Sequence, residues 1–296
     1  MGGAMTAQIK NALAMTAFGT ISIFVRGIAL SSMEIAFWRG SIALVVLWFI
    51  KKAFYRENNI HISRKQKVLL FLSGMAVGLN WALLFMAYEH TTIAVATLAY
   101  YFAPVIVMIV SPLLFKERMT LFQLLCFAMA TAGLVLVVSA GNSMAVGSRA
   151  GIGFGLGAAV FYAAVVLMNK WIREGSGLER TIIQFLGAVS LLFVILMVQG
   201  GFRIQAASPG SIGNLLVVGV IYTGLCYWLY FSSIKDLAGQ QTAILSYLDP
   251  FVAILVSTLF FREPIRVLQG IGAVLILGFT CLYQIDRGRR DAADKE

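Results

Sequence analysis

The chain has 296 residues, of which 60% are apolar and 12% charged; its mean hydropathy is +0.87 and its formal net charge +10. Soluble domains carry about 25% charged residues, so this composition excludes a cytosolic enzyme, a nucleic-acid binder and a disordered chain. The apolar stretches are continuous and not alternating, which excludes an outer-membrane barrel and leaves a polytopic helical membrane protein.

A membrane-crossing helix needs about 20 apolar residues. Ten segments meet this: roughly 9–28, 33–50, 67–88, 92–115, 120–140, 151–171, 181–200, 212–233, 240–261 and 265–285. The connections are short, so neighbouring helices are expected to be antiparallel. The longest polar connection runs from Lys51 to Lys67. No extramembrane domain has room to fold, so function is expected within the bilayer. No cleavable signal peptide is expected, because the first apolar run continues too far.

With the N-terminus placed inside, 17 lysines and arginines fall on inside positions, Arg56 among them, and five outside: Arg26, Arg149, Arg203, Arg262 and Arg266. Arg39 falls within a span. This bias predicts an even number of spans, an inner-membrane location and both termini in the cytoplasm. Cys126, Cys226 and Cys281 stand singly in apolar runs, and His61 and His90 in polar connections, so neither a disulfide framework nor a metal site is expected. There is no phosphate-binding loop, so the chain is expected to hydrolyse no ATP and to need no cofactor.

The chain repeats itself at an offset of 146. Between 78–123 and 224–269, 12 of 46 positions are identical without a gap, among them Gly78/Gly224, Tyr101/Tyr247, Pro104/Pro250, Glu117/Glu263 and Gln123/Gln269. Each half, residues 1–145 and 146–296, then holds five spans. An odd number makes the second half enter the membrane from the opposite side, so the halves are related by an axis in the membrane plane. The expected fold is an all-α membrane protein of ten transmembrane helices in two inverted five-helix repeats around a central cavity.

The segments AYYFAPVIVMIVSPLLFKER and SYLDPFVAILVSTLFFREP each place a glutamate, Glu117 or Glu263, 13 residues after a mid-span proline. With ten spans in two halves, the chain resembles the drug/metabolite transporter superfamily, EamA type, over nearly its whole length. The resemblance implies a secondary transporter of a small organic solute. By the resemblance, relatives move amino acids, metabolites or drugs, often outward. The inverted repeat itself suggests alternating access, and a ring-rich pocket short of charge suits an aromatic or branched amino acid or a related metabolite. Its partners would be that small molecule and the lipid bilayer, not nucleic acid. Protons are a candidate coupling partner; a monomer and a larger assembly both remain open.

Charges at bilayer depth are costly and usually functional. Glu34 lies near a span end, where water is within reach, whereas Arg39 and Asp249 lie deeper. In the repeat Asp249 answers to Ala103 and Arg39 roughly to Leu186, so each half carries a charge that the other lacks. Both are expected to face one cavity, as a pair or as counter-charges for a zwitterion. Pro104 and Pro250 are expected to interrupt their spans near the middle, freeing the carbonyls of Tyr100 and Ser246, and to serve as hinges. Asn80, Trp81, Tyr100, Tyr101, Tyr162 and Tyr247 are the pocket candidates. Tyr88 and Tyr230, near span ends, are expected in the interfacial belt. Gly151/Gly155, Gly153/Gly157 and Gly74/Gly78 are four apart, a spacing that lets helices cross closely.

An intramembrane aspartyl protease would need paired aspartates, and this chain has one deep aspartate. A channel would need a polar pore stripe that these spans lack. A receptor or scaffold would need docking surface that the short loops do not offer.

Overall fold

The computed structural model describes residues 2–54, 62–91, 96, 99–116, 119–141, 149–172, 174–202, 207–261 and 266–293. Glu117, Glu263, Arg56, His61, Arg203 and Arg262, which figured in the sequence reading, lie outside them. Among the described residues the chain is helical and has no strand.

Among the described residues, seven helical segments are long and apolar enough to cross a bilayer, and two shorter apolar helices join them. With the first helix they make ten spans at the expected places. Span 1 is Gly2–Thr20 continued by Ser22–Val25; span 2 is Ser32–Phe54; span 3 is Arg64–His90. Span 4 ends in Ala103–Phe115, span 5 is Leu121–Gly141, span 6 Arg149–Trp171 and span 7 Gly177–Val198. Span 8 is Pro209–Val217, a π-helix Val218–Leu225 and Cys226–Ile234. Span 9 is Gly239–Leu245 followed by Leu248–Phe261, and span 10 is Val267–Ala293.

The packing obeys the repeat. Span 3 packs on spans 6 and 7, and span 8, its counterpart five spans on, packs on spans 1 and 2. Span 1 meets span 9 as span 6 meets span 4. Spans 2 and 7, 4 and 9, and 5 and 10 each touch their own counterpart. A set of contacts unchanged when the halves are exchanged is the signature of a two-fold relation between them, and five spans per half make the relation an inversion.

Helix starts repeat too. Ser31 and Glu34 exchange reciprocal bonds at the start of span 2, and Ser176 and Glu179 do so at the start of span 7. Each box satisfies two amides that the helix itself leaves open. Glu34 is therefore buried, at 2% exposure, and serves as a cap instead of reaching water. Gln123 and Gln269, matched in the repeat, each accept from the backbone amide three residues earlier, at 3.3 and 2.9 Å.

These boxes correct one register. They are 145 apart, not 146, so Arg39 answers to Gln184, two residues before the Leu186 read from sequence. Ser63 and Ser208, which precede spans 3 and 8, are likewise 145 apart, while Gly78 and Gly224 are 146 apart. Span 8 thus gains one residue between Ser208 and Gly224, where its π-helix lies. A π turn closes over five residues instead of four and so absorbs one insertion without breaking the helix. The Thr223 hydroxyl donates to the Val218 carbonyl five residues back, at 2.9 Å.

Close crossings follow the glycines. A Cβ on Gly74 would strike the Gln184 carbonyl of span 7, and one on Gly187 the Phe71 carbonyl of span 3. Gly155 meets Ala96 and Ala99 of span 4, but Gly153 faces open space and is no crossing point.

Candidate functional site

Spans 1, 2, 3, 4, 6, 8 and 9 converge on a cavity of about 260 Å³. This is near the small end of ligand pockets, which run from about 300 Å³ upward. Counterparts line it from both halves: Trp81 and Tyr227, Leu84 and Tyr230, Tyr100 and Ser246, Ala103 and Asp249. Each pair is separated by 146 residues. The cavity therefore straddles the two-fold relation, with different chemistry on its two sides.

Two charged residues line it, Arg39 from span 2 and Asp249 from span 9. The Arg39 guanidinium lies over the Trp81 ring, 4.0 Å from its centre. Stacking covers a flat face of the cation and leaves its N–H edge free for an acceptor. Its Nε is buried with no hydrogen-bond partner. Asp249 lies beside the Tyr101 hydroxyl. Among the described residues no ion pair joins Arg39 to Asp249.

Aromatic side chains make up much of the remaining wall. The Trp81 indole N–H donates to the Tyr227 hydroxyl at 3.2 Å, and the Tyr230 hydroxyl donates to that of Tyr162 at 2.9 Å. Tyr162 meets Tyr100 at 5.9 Å between ring centres, Tyr100 meets Tyr101 at 5.5 Å, and Phe18 packs on Tyr227 at 4.9 Å. Such rings offer an apolar body with a polar tip.

Of the residues read from sequence, Arg39, Trp81, Tyr100, Tyr101, Pro104, Tyr162 and Asp249 line the cavity. Asn80 does not: its Nδ2 donates to the Ala158 carbonyl of span 6 at 2.7 Å. Neighbouring helical residues point about 100° apart, so a wall built on Trp81 turns Asn80 into the helix contact. Tyr247 is fully buried elsewhere, its hydroxyl bonded to Thr131 at 2.7 Å and its ring 5.8 Å from Phe127. Pro250 is also absent from the lining.

Pro104 and Pro250 do not sit in helix interiors. Pro104 occupies the first turn of Ala103–Phe115, and Pro250 is the third residue of Leu248–Phe261. At a helix start the missing N–H had no partner in any case. The spans are interrupted just before, at Tyr101–Phe102 and Ser246–Tyr247, and the prolines start a second helix after each break.

Tyr88 and Tyr230, expected in the interfacial belt, line the cavity. So do Phe18, Tyr227 and Ser246, which were not among the favoured pocket residues. The repeat carried the missing signal: Tyr227 and Ser246 stand opposite Trp81 and Tyr100 in the ungapped match. The π turn makes this work. A helix advances about 100° per residue, and wound as plain α-helix from the same start span 8 would hold Cys226 where Tyr227 stands.

The model of the EamA-like transporter family matches residues 6–139 and again 149–283. An uncharacterized transporter of Bacillus subtilis, YxxF, is 28% identical over 288 residues, covering 95% of this chain and 90% of its own. An uncharacterized transporter of Archaeoglobus fulgidus is 29% identical over 275 residues, with 90% and 91% covered. A solved crystal structure superposes with a TM-score of 0.82 over 94% of this chain and 98% of that one, at 15% identity, a likeness of fold.

Proposed function

The chain belongs to the EamA-like transporter family, and from that premise we propose that it carries a small zwitterionic solute of the amino-acid class, with an apolar or aromatic side group, across the cytoplasmic membrane. The observation that carries this reading is the pair of opposite charges, Arg39 and Asp249, set in one aromatic-walled cavity with no ion pair between them. The planar edge of Arg39 suits a carboxylate, since guanidinium and carboxylate match as two parallel hydrogen bonds. Asp249 suits the ammonium group. Tyr100, Tyr162, Tyr227 and Tyr230 would receive the side group. A charge left unpaired at bilayer depth costs about 2.5–3.5 kcal/mol, and an occupant that neutralises both ends would recover part of that.

Transport would follow by alternating access. The two halves exchange shapes, and the breaks ahead of Pro104 and Pro250 serve as hinges beside the solute. The two ends of the bundle carry different chemistry. On one side Arg180 donates to Asn169 at 3.0 and 3.2 Å, Asn169 and Gln184 donate to Ser73, and Lys51 bridges Glu179 at 2.9 Å. At the repeat-related positions Ile35 answers to Arg180 and Val218 to Ser73, both within an apolar cluster with Ile28, Leu215 and Tyr222. Export, with both termini in the cytoplasm, draws on the superfamily resemblance and the lysine and arginine bias. Asp249 is the candidate site for a coupled proton.

The experiment is counterflow in proteoliposomes with a panel of radiolabelled amino acids, run on the parent chain, Arg39→Ala and Asp249→Asn. Exchange of apolar and aromatic amino acids by the parent, lost in both variants at equal reconstitution, is the expected result. Full exchange in both variants would remove the zwitterion reading.

A further inference from the structure

A second hollow, of about 320 Å³, lies on the bundle surface where spans 3 and 7 meet. Arg64 and Lys67 edge it, and Val68, Phe71, Leu72 and Ile183 make the rest of its lining. Arg64, Lys67, Val68, Phe71 and Leu72 are exposed, so the hollow faces outward and is separate from the central cavity. Along span 3 the two cations come first and the apolar residues follow within two turns. That order matches the layering of a phospholipid, headgroup and then acyl chain.

Among the described residues, neither Arg64 nor Lys67 forms an ion pair. The first turn of span 3 holds no acidic residue, and Ser63, which precedes it, makes no cap. Its hydroxyl donates instead to Glu174 at 3.1 Å. The buried Glu179 at this end is bonded to Lys51. The repeat provides an internal comparison. At the corresponding start of span 8, Pro209 and Ile212 replace Arg64 and Lys67, and Gly213 replaces Val68. There Ser208 does cap its helix, accepting from Ser211 at 3.2 Å. The repeat-related place on the other face thus lacks both cations.

We propose that this hollow binds an anionic glycerophospholipid, its phosphate held between Arg64 and Lys67 and an acyl chain lying over Phe71, Leu72 and Ile183. Basic pockets between membrane helices select anionic headgroups, each cation near the surface contributing about a fivefold preference. The inference needs the membrane fold and not the carried solute, so its test reads lipid binding and not transport.

The test is native mass spectrometry of the purified full chain titrated with phosphatidylglycerol or phosphatidylcholine of identical acyl chains. Phosphatidylglycerol should be retained preferentially. That preference should fall roughly tenfold or more in R64Q/K67Q and persist in R64K/K67R and in K52Q, whose cation lies elsewhere. Leu72→Trp, which fills the apolar part and leaves both charges, should also release the lipid and guards against a misfolded double variant. Equal retention of phosphatidylcholine, an undiminished preference in R64Q/K67Q, or full competition by inorganic phosphate alone would each overturn the proposal.

Discussion

Trp81 and Tyr227 occupy the same place in the two halves of the chain and meet across the cavity, the indole N–H of one donating to the hydroxyl of the other at 3.2 Å. A residue and its repeat counterpart come into contact only close to the axis that relates them. This bond therefore marks where the axis relating the halves passes, and Arg39 is stacked on the same indole.

Tyr227→Phe keeps the ring and removes the acceptor, leaving a buried N–H unpaired at a cost of about 1–3 kcal/mol. In a Trp81→Phe background the same change should cost clearly less. Thermal unfolding of the two single variants and the double measures the coupling, and additive losses would show that the bond contributes nothing.

Arg39→Lys retains the positive charge but gives up the flat stack on Trp81 and the forked edge. Solute affinity should drop by about tenfold, in line with a cation–π contact of roughly 1–2 kcal/mol. Equilibrium binding of the best amino acid from the counterflow panel provides the readout; unchanged affinity would mean that charge alone matters there.

Deleting Ile221 removes the additional residue of the π-helix. The neighbouring turns can then wind as a plain α-helix in the register of span 3, so Tyr227 and Tyr230 keep their places while Gly219 keeps its contact with Ile42. Solute exchange should persist in the deletion, as in Ile221→Ala, whose side chain is exposed. Loss of exchange in the deletion alone would show that the π turn does not merely absorb the added residue.

Gly74→Val and Gly187→Val should each lower stability by at least about 1–3 kcal/mol, the usual cost of overpacking, because spans 3 and 7 cross there in backbone contact. Gly153→Ala meets nothing within 4 Å and gains helix propensity. It should be neutral or stabilising by up to about 1 kcal/mol, and a thermal-unfolding series on the three variants separates the two kinds of glycine.

The number of spans, their approximate places and the halving of the chain were legible because a membrane imposes a fixed length on each helix and a duplication leaves its spacing behind. Arg39 and Asp249 were legible for a related reason: a charge is conspicuous in an apolar run. Which aromatic side chains face the cavity was not. Asn80 and Trp81 are adjacent and equally suited to a pocket by type, and only helix rotation separates them. Tyr101 and Tyr247 match in the repeat, yet one lines the cavity and the other fills the contact with span 5, so symmetry of sequence does not fix symmetry of role.

The sequence by itself determined the all-helical membrane architecture, the doubling and the two deep charges, since hydropathy, periodicity and desolvation act along the chain. Only the tertiary structure decided that Pro104 and Pro250 open helices, that Glu34 caps, and that a π turn absorbs the residue added in span 8 and so keeps two tyrosines inward. Those outcomes depend on rotation about helix axes and on which backbones touch, and one residue's shift resets both without changing the apolar pattern that a sequence displays.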